Sequence, residues 1–206
     1  MAATGRLIRD HPATLAALAA GILAAAASFA PDSPVATLGW WAGGGAEAVW
    51  RPAWRPLWRL LTTHFVHLGA AHFAANLFAA TLIGWICDRL HLAGRLPAAT
   101  LASLAGVGLG LEFGPWAIAW YVGFSGVLHG LFAWLCLYVA LTPSAERSAL
   151  VRGLAAALFL GGLVKVVAAL TTPVGAPGWL GIPQATPVHL YGYLGGMLWA
   201  FLRRAK

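Results

Sequence analysis

Six stretches of the chain are runs of apolar residues, and most of the charged residues collect between them. They cover about 12–30, 70–88, 92–112, 125–142, 149–170 and 188–202. Each is close to the about 20 residues that a helix needs to cross a hydrocarbon core, although the last is short. None shows the two-residue alternation of a half-buried strand. In lipid, backbone groups must be bonded within the segment, so the pattern predicts helices. Gly and Pro inside the segments are no objection there. Residues 31–69 are left as one long loop. The expectation is an all-α membrane protein, a single six-helix domain over 1–206.

Composition supports the bilayer as solvent. The 206 residues are 60% hydrophobic and only 9% charged, against about 25% charged in a soluble domain. Cys87 and Cys136 both fall in apolar segments and read as small buried hydrophobes rather than a disulfide. Basic residues precede the first apolar run, but more membrane segments follow it, so no cleavable leader is expected.

The net charge of +7 does not form a nucleic-acid patch, because the basic residues mark segment ends. Arg6, Arg9, Arg89, Arg95, Arg147, Arg152, Arg203, Arg204 and Lys206 all fall on one side of a six-span arrangement. Arg51, Arg55 and Arg59 share the long loop on the other side, and Lys165 lies within the fifth segment. The positive-inside rule then puts both termini in the cytoplasm. Trp40, Trp41, Trp50, Trp54, Trp58, Trp116, Trp120 and Trp179 fall at the opposite level, as an interfacial belt would.

That arrangement brings polar groups to one depth. His67 precedes the second segment, and His72 and Asn76 lie in its first turns. Ser125 opens the fourth and His189 the sixth. All five fall near the outer level, and titratable groups in membrane helices are costly and mark function. His72 and Asn76 share a helix face at i, i+4, as do Ser125 and His129. His189, Gly192 and Gly196 share another. Gly126 with Gly130, and Gly192 with Gly196, are small-xxx-small pairs that let helices four and six approach closely. Such packing would bring His189 within reach of Ser125, as an activated serine requires. His189 then serves as base and acid. His72 and Asn76, with backbone N–H groups at the start of helix four, are candidate donors to an oxyanion. No Asp is placed to complete a triad, so the reading is a Ser–His dyad. His129 lies one turn on and can pack against His189.

These residues resemble the rhomboid intramembrane serine proteases. "WRLLTTHFVHLGAAHFAANLF" looks like the family's Trp-Arg loop motif, here Trp58 and Arg59, followed by its His and His-x-x-x-Asn helix. "GFSG", from Gly123 to Gly126, looks like the Gly-x-Ser-Gly nucleophile. "HLYGYLGG" looks like the His-x-x-Gly-x-x-x-Gly helix. "CDRL" falls where the family keeps an acidic–basic pair. The likeness covers about residues 55–202. It implies Ser125 as nucleophile, His189 as base and His72 with Asn76 as the oxyanion site, with Gly123, Gly126, His129, Gly192, Gly196 and His67 in support. Many bacterial rhomboids carry tyrosine where His129 stands. That histidine and the bare core look like the rhombosortase branch, associated with removing a C-terminal Gly-Gly membrane anchor from exported proteins. The resemblance implies membrane-anchored substrates. Ala-, Gly- and Arg-rich usage and the small core suggest a bacterial inner membrane, with the site facing the periplasm. No cofactor or metal is implied.

Each signal has a plainer reading. A serine between glycines also caps helices. A single outer histidine is commonly structural, and paired glycines mean packing. "WRPAWRPLWR" (50–59) reads as an amphipathic interfacial segment, Lys165 as a snorkelling side chain, and Asp88 as a partner of Arg89 or of helix ends. Two rival functions follow: a metal or haem protein using His64, His67, His72, His129 and His189, or a catalytically inactive relative that binds helices. The first leaves Ser125 and Asn76 without a role, and the second usually lacks the serine or histidine. The Gly- and Pro-rich stretch 171–187 is expected to cap the site, with helix five as a side gate.

Overall fold

The computed structural model describes residues 9–29, 34–42, 57–142, 147–178 and 181–202. Trp50, Arg51, Trp54, Arg55 and Trp179 lie outside these residues, and with them most of the 50–59 repeat. The described chain is mostly helical. Its long helices are α1 (Pro12–Ser28), α2 (Ala70–Arg89), α3 (Leu96–Phe113), α4 (Ser125–Leu141), α5 (Ala149–Ala168) and α6 (Thr186–Leu202). They match the six apolar runs to within a few residues. Helix α3 starts later than 92 because Ala93–Arg95 winds as a 3-10 turn and Pro97 takes an early helical position, where its missing N–H costs nothing. Helix α6 starts earlier than 188, with Pro187 in its first turn.

Three helical stretches, Ala70–Arg89, Ala93–Phe113 and Ala149–Thr171, are long and apolar enough to cross a membrane; Pro12–Ser28 and Ser125–Leu141 are shorter and apolar. Large apolar side chains such as Ile22, Phe78, Leu101, Leu150 and Val164 point outward. Outward apolar faces on this scale suit lipid, not water.

The chain forms two compact units. The first comprises residues 1–85, 115–124 and 174–185. In it, α1 packs on α2 where Gly84 leaves no room for a side chain: a Cβ there would lie 2.8 Å from the Ala13 carbonyl oxygen. A two-stranded antiparallel ribbon pairs Trp40–Trp41 with Trp120–Tyr121. Strands of two residues are too short to leave an alternating pattern, so the sequence gives no sign of them. Thr63 binds this ribbon to the segment before α2: its Oγ1 donates to the Tyr121 carbonyl and accepts from the Trp40 N–H. Residues 174–185 turn back on themselves through Gly175 N–H to Gln184 O and Gln184 N–H to Ala176 O.

The second unit comprises residues 86–114, 125–173 and 186–206. Helices α4 and α6 meet backbone to backbone. A Cβ on Gly192 would overlap the Gly126 carbonyl oxygen, and one on Gly196 the Gly130 carbonyl oxygen. Helix α3 joins α6 in the same way at Gly106 and Gly195. Tyr193 ties α6 to α5 by donating its hydroxyl to the Phe159 carbonyl. The C-terminal end of α4 is a basic collar. Arg95 and Arg147 lie over the Tyr138 ring at 5.3 and 5.9 Å. Arg152 Nε donates to the Ala140 carbonyl, where cations suit the last turn of a helix.

Candidate active site

Ser125 is the first residue of α4 and His189 lies in the first turn of α6. The glycine contacts bring these helices together, and Ser125 Oγ sits 3.0 Å from His189 Nε2. That is hydrogen-bond distance for a hydroxyl and an imidazole. His129, one turn along α4, stacks on His189 with ring centroids 4.2 Å apart and planes 16° apart. Its Nδ1 lies 2.7 Å from the Ser125 carbonyl oxygen. Lys165 corrects its sequence reading. It does not snorkel away: Nζ lies 2.8 Å from His129 Nε2. Its exposed position on α5 gave no hint of this, since the contact spans 36 residues of sequence.

The first unit holds the other candidates. Asn76 is buried on α2, and its Nδ2 has no hydrogen-bond partner among the described residues. An unused buried donor costs free energy and asks for an explanation. His72 Nδ1 accepts the Leu68 N–H at 3.3 Å, so in the neutral ring Nε2 carries the proton. Both donors converge on Gly123, which has φ +110. A Cβ there would lie 2.8 Å from His72 Nε2 and 3.7 Å from Asn76 Nδ2. Glycine is needed twice at this position, for its conformation and for the space.

Gly123 is also pinned by groups whose role was not foreseen. Its N–H donates to the Thr63 carbonyl at 2.9 Å. Its carbonyl accepts from Tyr121 hydroxyl at 2.7 Å and from His64 Nδ1 at 3.1 Å. His64 entered the sequence reading only as a possible metal ligand. His67 is buried, its Nδ1 3.2 Å from Ser28 Oγ and its ring 5.0 Å from that of His72. Arg59 lies over the Trp58 ring, 5.3 Å from its centroid. Asp88 is buried at the end of α2, and Cys87 and Cys136 are free thiols. Among the described residues, no group of three or more His, Cys, Asp or Glu is placed to hold a metal ion.

The Rhomboid domain family matches residues 55–206, about three quarters of the chain. The chain belongs to the rhomboid family. No curated relative matches it. Rhomboids are generally intramembrane serine proteases acting on membrane-anchored substrates within the bilayer. The family match and the three long apolar helices make this rhomboid an integral membrane protein.

Two buried histidines before α2 of this rhomboid, His64 and His67, carry a pH dependence. Burial lowers His64 from 6.5 to about 4. His67 is lowered to about 4 by burial and by the neighbouring His72. In the unfolded chain both take up protons near pH 6.5, while the folded chain resists until about pH 4. The unfolded state therefore binds more protons in that window, and stability falls as pH drops through it. Thermal unfolding in detergent should show a level midpoint above about pH 6.5 and a declining one down to about pH 4. His64→Gln should make the decline shallower.

Proposed function

We propose that this rhomboid is an active serine endopeptidase in which Ser125 and His189 form the catalytic pair. The 3.0 Å approach of Ser125 Oγ to His189 Nε2 carries the reading. His189 Nε2 takes the hydroxyl proton as Oγ forms a bond to the scissile carbonyl carbon, and the carbonyl electron pair moves to oxygen. Collapse of that intermediate breaks the C–N bond. The leaving amine takes the proton from His189. A water molecule, deprotonated by the same imidazole, then releases the acyl group from Ser125.

The oxyanion needs donors fixed in advance. His72 and Asn76 suit that role, because the Nε2–H of one and the unused Nδ2 of the other lie against Gly123, two residues before the nucleophile in sequence. Asn76→Ala should lower the rate constant for cleavage by about 10²–10³-fold. KM should change little if the donor acts on the transition state alone. Steady-state kinetics on a membrane-anchored substrate in proteoliposomes would read this directly.

The remaining parts follow. Gly126, Gly192 and Gly196 hold the helices at the distance the pair needs, His129 backs His189, and His67 and Gly123 support the donor side. Trp58 and Arg59 anchor the loop before α2. We place all six long helices across the membrane as one domain with both termini cytoplasmic. The basic collar at the C-terminal end of α4, opposite Ser125, supports that orientation under the positive-inside rule. The reaction then takes place near the outer level of a bacterial inner membrane, on the periplasmic side. Residues 171–187 serve as its cap. Histidine at 129 favours a rhombosortase that removes Gly-Gly-type C-terminal anchors. No cofactor enters the chemistry.

The test is labelling of the purified chain in detergent with a fluorophosphonate, beside cleavage of a Gly-Gly-anchored substrate and of an ordinary transmembrane substrate. Labelling with selective cleavage of the first supports the full reading. Labelling with cleavage of only the second keeps the protease and removes the rhombosortase. Neither labelling nor cleavage leaves an inactive relative that binds helices.

A further inference from the structure

Lys165 is a cation in an apolar helix, flanked by Val164 and Val166. Such a group is costly in a membrane unless it has a task. Its ammonium is spent on His129 rather than on the helix end, and the hydrogen-bond inventory fixes what that contact means. Lysine only donates, so His129 Nε2, 2.8 Å away, must accept. A carbonyl oxygen only accepts, so His129 Nδ1, 2.7 Å from Ser125 O, must donate. Only the neutral ring with its proton on Nδ1 satisfies both contacts. The other neutral tautomer fails at both nitrogens, and the imidazolium sets an N–H against the ammonium.

We propose that Lys165 is a positioning residue for the Ser125–His189 pair: it selects the tautomer of His129 and so locks the ring on which His189 stacks. The inference rests on the protease reading above. The lock has two ends, one on α5 and one on the nucleophile's own carbonyl. Rotating the His129 ring breaks at least one of them. The His189 ring lies nearly parallel to it, 4.2 Å away, and inherits its plane. That plane aims Nε2 at Ser125 Oγ. The charge state matters as well. His189 becomes cationic when it takes the serine proton, and a neutral π-face beside it accommodates that charge. A protonated His129 would oppose it. Among the described residues, Lys165 from α5, His189 from α6 and the Ser125 carbonyl from α4 itself are polar groups that meet the ring.

The test uses the full chain in detergent and the second-order rate of fluorophosphonate labelling at Ser125. Lys165→Met keeps the apolar stem and removes the donor. It should slow labelling about tenfold, the size expected when a reacting group is slightly misaimed, while the thermal midpoint stays near that of the wild type. His129→Phe keeps a stacking ring without nitrogens. In that background Lys165→Met should add no further loss, because contacting residues that act as one unit are not additive. Nitrogen-15 spectra of histidine-labelled protein give an independent reading. His129 should show a protonated Nδ1 and an unprotonated, hydrogen-bonded Nε2 in the wild type, and a tautomer mixture in Lys165→Met. Wild-type labelling rates in Lys165→Met, an equal loss in the His129→Phe background, or a protonated Nε2 in the wild type would each overturn the inference. A wild type that neither labels nor cleaves removes the protease reading instead, and the nitrogen spectra then decide the Lys165–His129 lock alone.

Discussion

His189→Ala should abolish turnover while leaving the fold in place. The loss should be on the order of 10⁴-fold or more, and Ser125→Ala should match it, because a nucleophile and its base act as one unit. The argument is geometric. A serine hydroxyl is a poor nucleophile unless its proton has somewhere to go, and His189 Nε2, 3.0 Å from Ser125 Oγ, stands where the proposed mechanism needs its base. His189 is half-buried at the start of α6, and the closest backbone contacts of that helix are made by Gly192 and Gly196, not by the imidazole. Truncating the ring therefore leaves the helix contact intact. The check is single-turnover cleavage with purified wild type and both variants, with thermal unfolding measured in parallel. The double variant should be no worse than either single one. Retention of a tenth of the activity in His189→Ala, with the fold intact, would remove histidine as the base.

Gly196→Val should do the reverse, costing the fold first and activity as a consequence. A Cβ at 196 meets the Gly130 carbonyl oxygen, carbon and Cα, none of which can turn aside as a flexible side chain would. Overpacking of an ordinary core costs about 1–3 kcal/mol, and a backbone obstacle on both helices puts this site at the upper end of that range or beyond. Helices α4 and α6 must separate, and Ser125 and His189 separate with them. Thermal unfolding should show a large drop in midpoint, and fluorophosphonate labelling should fall with it even below the transition. Gly153→Ala is the matched control. A Cβ there meets nothing within 4 Å, so the change should be neutral or slightly stabilising, since alanine favours helix more than glycine does.

Much of this was legible in the chain because it repeats locally. The apolar runs set the helices, and the i, i+4 spacing of Gly126 with Gly130 and of Gly192 with Gly196 announced a close contact between α4 and α6. That contact brings Ser125 and His189 together and stacks His129 on His189. What escaped were contacts without a local pattern. Lys165 in an apolar run looks the same whether it reaches for water or for a histidine 36 residues away. His64 and Tyr121 hold one carbonyl from positions 59 and 2 residues distant, and nothing near either residue signals it. The ribbon of Trp40–Trp41 on Trp120–Tyr121 is too short to impose a period.

The hydrogen bonds around Gly123 also settle a question of supply. Its N–H is already given to the Thr63 carbonyl, and its carbonyl already takes two protons' worth of donors. Both backbone polar groups of Gly123 are therefore already occupied. In the proposed mechanism, a main-chain donor to the developing alkoxide would come from later in the chain, at Phe124 or at Ser125 itself, where a helix begins and its first amides have no acceptor within the helix.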